Sequence, residues 1–172
     1  SSYHVFSTED ESWDLSQEPE FSIRTSLSDR ATGARRWIGW TDTTELGMVS
    51  TDAPTNANII SFWSCPFNTI VGCSPDSGAN IWAVVENGVT ANIQRTNTGV
   101  AFVPGQIYLF QILWESTTRT ATFKIDGTTV ATMATNTPLN TISMRVNSSI
   151  TNTSGTQTYS MKSYGAYLYS AL

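Results

Sequence analysis

The chain has 172 residues, 40% of them hydrophobic but only 13% charged, where an average soluble domain carries roughly 25%. Nine cations scattered among 14 carboxylates leave it at net −5, which argues against the clustered basic face that phosphate tracking or an acidic membrane surface requires. No apolar run approaches the ~20 residues of a membrane span, and the length suffices for a core without metal or disulfide, so a single domain over residues 1–172 is expected.

The opening Ser1-Ser2-Tyr3-His4 has neither a basic nor an apolar leader character, and no targeting segment is read there. Glu9, Asp10, Glu11 and Asp14 follow as an acidic lead-in. From Phe21 onward apolar residues recur at every second position, the period of an extended strand, and no window sustains a helical spacing. Strands are expected at Phe21–Leu27, Arg36–Thr41, Ile59–Ser64, Ile81–Glu86, Ala91–Arg95, Ile107–Glu115, Thr120–Ile125, Thr129–Met133, Ile142–Asn147 and Gln157–Tyr169. Asn87-Gly88 and Asp126-Gly127 each fit a two-residue hairpin turn, because both positions of such a turn need positive φ. The run Ile107–Trp114 is apolar on both faces and predicts a central strand covered on both sides. Ten or so strands without an intervening linker imply an all-β fold of two packed antiparallel sheets.

Tyr108-Leu109-Phe110-Gln111-Ile112-Leu113-Trp114, five spacer residues and Thr120-Ala121-Thr122-Phe123-Lys124-Ile125-Asp126-Gly127-Thr128-Thr129-Val130 resemble a stretch of the concanavalin A-like sandwiches. Laminin G-like domains, legume-type lectins and laminarinase-type glucanases share that fold. Phe21–Arg24, Trp37–Trp40 and the closing Tyr159–Tyr169 are similar to its other strands. The resemblance implies a jelly-roll sandwich whose concave sheet often binds glycans in relatives. The matched residues are structural, so they speak for the fold and not for an activity.

Chemistry is sparse. Hydrolases of this family carry Glu-x-Asp-x-(x)-Glu on one strand, where alternation places carboxylates on one face for a retaining mechanism. Glu9, Glu11 and Asp14 are the nearest approach, but they differ in type and order and have no apolar neighbours to raise an acid's pKa. The 46 residues after Asp126 contain no carboxylate. The sole imidazole is His4, and no Gly-x-Ser-x-Gly or phosphate-binding glycine loop occurs. No catalytic set and no cofactor are therefore expected. Relatives often bind calcium through loop aspartates, so a structural calcium at Asp29, Asp42, Asp52 or Asp76 stays open, although none has Asp-x-Asp spacing. Cys65 and Cys73 form either a loop disulfide or two thiols. Asn147-Ser148-Ser149 and Asn152-Thr153-Ser154 fit the glycosylation spacing, in a chain where such triplets arise by composition.

Six tryptophans remain. Trp40 and Trp114 share their register with inward neighbours, whereas Trp37 and Trp82 oppose the apparent core register and are expected on an outer or concave face, open to a sugar ring or a partner. Trp37, Trp82, Arg24 and Arg95 are the expected ligand-binding residues. With 21 Ser, 26 Thr, 11 Asn and two Lys, the composition is similar to that of virion surface, tail and fibre proteins and of extracellular adhesins. The expectation is a non-catalytic, extracellular or virion-surface module that recognises glycan or assembles as a homo-oligomer. A glycan hydrolase or lyase of the same fold is the alternative.

Overall fold

In the computed structural model, residues 3–7, 12–27, 34–42, 57–64, 80–152 and 161–169 are described. They form twelve strands: β1 (Tyr3–Ser7), β2 (Trp13–Asp14), β3 (Glu20–Leu27), β4 (Ala34–Thr41), β5 (Asn58–Ser64), β6 (Asn80–Asn87), β7 (Gln94–Ala101), β8 (Ile107–Glu115), β9 (Thr120–Ile125), β10 (Thr128–Met133), β11 (Ser143–Asn152) and β12 (Met161–Tyr169). Two single turns of 3-10 helix, Leu15–Gln17 and Thr90–Asn92, complete the described elements, and no helix among them is long and apolar enough to cross a membrane.

The strands make two antiparallel sheets. The larger runs β1-β11-β4-β5-β6-β7 with β2 also on β11, and the smaller runs β10-β9-β8-β3-β12. Alternation then dictates the core. Ile38 and Trp40, Ile60 and Phe62, and Ile81, Ala83 and Val85 point inward from the larger sheet. Phe21 and Ile23, Tyr108, Phe110, Ile112 and Trp114, and Ala121, Phe123 and Ile125 meet them from the smaller one. Phe62 binds the layers together, with its ring 4.9 Å from that of Phe110 and edge-on to Phe123 at 5.2 Å.

The expected all-β, two-sheet architecture is present, and the strands at 107–115 and 120–125 have the expected bounds. Two local expectations need correction. β8 is central, but its burial alternates strictly: Tyr108, Phe110, Ile112 and Trp114 are buried while Leu109, Gln111 and Leu113 are half-buried. Its second face carries Ile107, Leu109 and Leu113 without being a second core, since apolar side chains set among polar neighbours such as Arg24, Ser22, Lys124 and Thr122 on a partly solvated face are cheap. Asn87-Gly88 does not make a two-residue hairpin. Gly88 takes φ 79°, but its N–H goes to Ala57 O at 3.2 Å, and Asn92 N bonds Val89 O at 2.7 Å. The chain therefore makes an extra 3-10 turn before β7, which starts at Gln94 and not at Ala91. β1 and β2 had no periodic signal of sufficient length. Glu9, Glu11, Asp29, Asp52, Cys65, Cys73, Asp76 and Tyr159 lie outside the described residues.

Candidate ligand-binding face

The inward positions of β4, β5 and β6 leave a second set of side chains on the opposite face of the larger sheet. Register places them in rows. Trp37, Trp63 and Trp82 lie side by side across β4, β5 and β6, with Asn97 of β7 next in line. One row along stand Asn147, Gly39, Ser61, Val84 and Arg95, and beyond them Arg145, Thr41, Ile59 and Glu86. Trp63 was the missing member of the set, because its strand is apolar on both faces and offered no contrast to reveal it.

This outer face is itself a small core. Trp37, Ala57, Ile59, Trp63 and Val84 form a buried cluster separate from the main one, with Trp82 and Ile93 packed at its margin. The Trp37 and Trp63 rings lie 4.3 Å apart, and the Arg95 guanidinium sits 5.8 Å from the Trp63 ring centre, within cation-π range. Of the expected ligand-binding residues, Trp37, Trp82 and Arg95 share this face, as their register implied. Trp37 is nevertheless only 1% exposed, which corrects the expectation of an open aromatic there: a ring flanked by Trp63 is shielded by its neighbour. Trp82 and Arg95 are half-buried and remain accessible. Arg24 is not part of the group. It is exposed on β3 opposite Leu109, on the outer side of the other sheet.

Polar groups on the face are held or left unpaired in an instructive way. Asn97 Oδ1 accepts from Asn80 Nδ2 at 3.0 Å and from Gly99 N at 2.9 Å, which locks this exposed amide in place on β7. The indole N–H groups of Trp63 and Trp82 are buried and meet no acceptor, and neither amide atom of the 1% exposed Asn147 is hydrogen-bonded. An unpaired buried donor costs roughly 1–3 kcal/mol, so such groups call for a ligand, a water or a functional reason. With Asn147 buried in β11, its glycosylation triplet is inaccessible in the folded chain.

Four acids among the described residues have structural duties. Asp14, at the end of β2, caps the first 3-10 turn by accepting from Ser16 N at 3.0 Å. Asp42 accepts from Asn58 N at 2.8 Å and Asn58 Nδ2 at 2.7 Å, one bond on each oxygen. Glu18 Oε1 receives the Ser116 hydroxyl at 2.7 Å, and Asp126 Oδ1 receives Leu109 N at 2.8 Å. Glu86 is fully buried, on the tryptophan face.

No family model matches the chain, and no curated protein does. Solved structures do. A legume lectin-like domain from Entamoeba histolytica aligns over 98% of this chain and 79% of its own length at TM-score 0.64 and 10% identity. The chain has the concanavalin A-like jelly-roll fold. Sheep galectin-11, in complex with glycerol, matches 94% of the chain and 98% of its own at TM-score 0.52 and 16% identity. A Bacillus licheniformis β-glucanase matches 94% and 68% at TM-score 0.60 and 12% identity. At these identities the likeness concerns the jelly roll alone, which lectins and hydrolases share.

Proposed function

We propose that this jelly roll is a non-catalytic glycan-binding module, displayed on an extracellular or virion surface and associating with copies of itself. The observation that carries the proposal is the cross-strand row Trp37–Trp63–Trp82–Asn97. Two buried rings back a third that is half-open, beside a pre-set amide and a guanidinium. A sugar presents an apolar ring face and a polar rim, which an indole and a locked amide match with little ordering cost. The lectin-like structural matches and the low-Lys, Thr- and Asn-rich composition support the same reading.

A glycan array with mass measurement in solution tests it. Saccharide binding that Trp82→Ala weakens at least tenfold without unfolding the chain is expected. A monomer that binds no saccharide overturns the proposal.

One observation favours the enzymatic alternative, a glycan hydrolase or lyase: Glu86 is a buried carboxylate on the same face. Two-carboxylate glycoside hydrolysis needs a second acid about 5–9 Å away. Among the described residues, no other acid occupies these rows. Release of reducing ends that Glu86→Gln abolishes would establish the enzyme. Activity lost instead on joint replacement of Glu9, Glu11 and Asp14 by amides would place it at the lead-in.

A further inference from the structure

Asn87-Gly88 carries a reactivity that its turn leaves unused. In water the peptide nitrogen after an asparagine can attack the side-chain carboxamide carbon, and a following glycine, lacking a Cβ, hinders that attack least. Asn87 is the one asparagine of the chain followed by glycine. Every other described asparagine precedes Ile, Thr or Ser, whose side chains crowd the nitrogen. Asp126-Gly127 differs, since a carboxylate offers neither an amide carbon nor ammonia as leaving group. The fold restrains each reacting part of Asn87-Gly88. Asn87 ends β6 in register with Asn58, which keeps its backbone extended. Gly88 N donates to Ala57 O at 3.2 Å, so the proton that must leave the attacking nitrogen is held. The Asn87 carboxamide oxygen accepts from Asn92 Nδ2 at 3.3 Å, which ties the electrophile to the 3-10 turn Thr90–Asn92. Asn87 and Gly88 are half-buried beside the exposed Val89, so water reaches the pair once these bonds open.

We propose that Asn87 is a deamidation site gated by local opening of the connection between β6 and β7. When the bonds to Ala57 and Asn92 break, Gly88 N gives its proton to hydroxide and bonds to Asn87 Cγ. The Cγ–Nδ2 bond then breaks, and ammonia leaves with a proton from water as a cyclic succinimide closes. Water opens either carbonyl of that ring, which gives aspartate or isoaspartate at position 87. No oxidant and no cofactor takes part. Short surface connections open at a lower free energy than the whole fold, so the gate does not require global unfolding. Isoaspartate adds a backbone atom ahead of Gly88. That shift takes Gly88 N off Ala57 O and slackens the segment that sets Ile93 against the tryptophan cluster. The inference goes beyond the glycan reading and does not depend on it.

Timed incubation of the whole chain in mildly alkaline buffer, followed by peptide mass mapping, tests the inference. In the urea-unfolded chain Asn87 should convert faster than every other asparagine, and Gly88→Ala should remove that lead. In native buffer its conversion should be at least tenfold slower than in urea. Asn92→Ala frees the carboxamide without touching the reacting pair. It should raise the native rate severalfold while the melting temperature and the rate in urea stay unchanged. Three results overturn the inference: a native rate equal to that in urea, an Asn87 no faster than the other asparagines in urea, or a native rate that Asn92→Ala leaves unmoved or raises only with loss of the fold. Each of them leaves the glycan reading standing.

Discussion

Tyr108 closes the connection between β7 and β8 with one hydroxyl. It donates to Ala101 O at 3.0 Å and accepts from Val103 N at 2.8 Å, while its ring packs in the core against Phe110. Ala101 and Val103 are exposed and water can replace the lost bonds, so Tyr108→Phe should cost only about 1 kcal/mol, read as a shift in the urea midpoint. Burial pushes the phenol's pKa above its ordinary value; the Val103 bond opposes this and the nearby Asp126 charge adds to it. A raised folded-state pKa means that this contribution is fully present below about pH 10, the unfolded value, and is lost as pH rises through the folded one. The wild type should therefore lose stability relative to Tyr108→Phe above about pH 10. A difference that stays flat to pH 11 would contradict the argument. Gly39 is a second decisive residue. A Cβ there would stand 2.4 Å from Ile60 O and 2.6 Å from Ser61 Cα, backbone atoms that cannot step aside. Gly39→Ala should destabilise by roughly 3 kcal/mol, the upper end for overpacking, and lower the melting temperature accordingly.

At the scale of elements, the β9–β10 hairpin shows local chemistry prevailing. Asp126 and Gly127 take φ 51° and 80°, both positive as a two-residue type I′ turn demands, and the Asp126 carboxylate adds a bond to β8 through Leu109 N. A Cβ on Gly127 meets nothing within 4 Å, so Gly127→Ala should cost the left-handed backbone penalty alone, about 1–2 kcal/mol in a melt. Asn87-Gly88 carries the same turn chemistry with a different result. There the Ala57 carbonyl captures Gly88 N, and the strand partner starts six residues later. A tertiary acceptor outbids the local preference, and nothing within residues 86–89 announces it.

At the scale of the molecule, the described residues form two hydrophobic clusters, one on each face of the larger sheet. Trp37→Ala opens a cavity in the outer cluster and should cost about 3–5 kcal/mol, whereas Trp82→Ala at the margin should cost clearly less and act on ligand binding. Denaturant titration of both variants, alongside glycan binding, separates the two roles; equal destabilisation would make Trp82 a core residue and nothing more.

Period-two spacing sufficed for most of the strands from Phe21 onward and for the outward register of Trp37 and Trp82, because a strand's side chains alternate whatever it pairs with; β1 and β2 were too short or too polar to show it, and the start of β7 was misplaced. The Asp-Gly hairpin was equally legible, being decided within four residues. Strand order was not, and strand order settles the site: it sets Trp63 between Trp37 and Trp82, sends Arg24 to the other sheet and brings Asn97 beside Trp82. Exposure was not legible either. Trp37 is outward by register yet buried, since accessibility depends on which neighbours stand across the ladder and not on the residue's own parity along the chain.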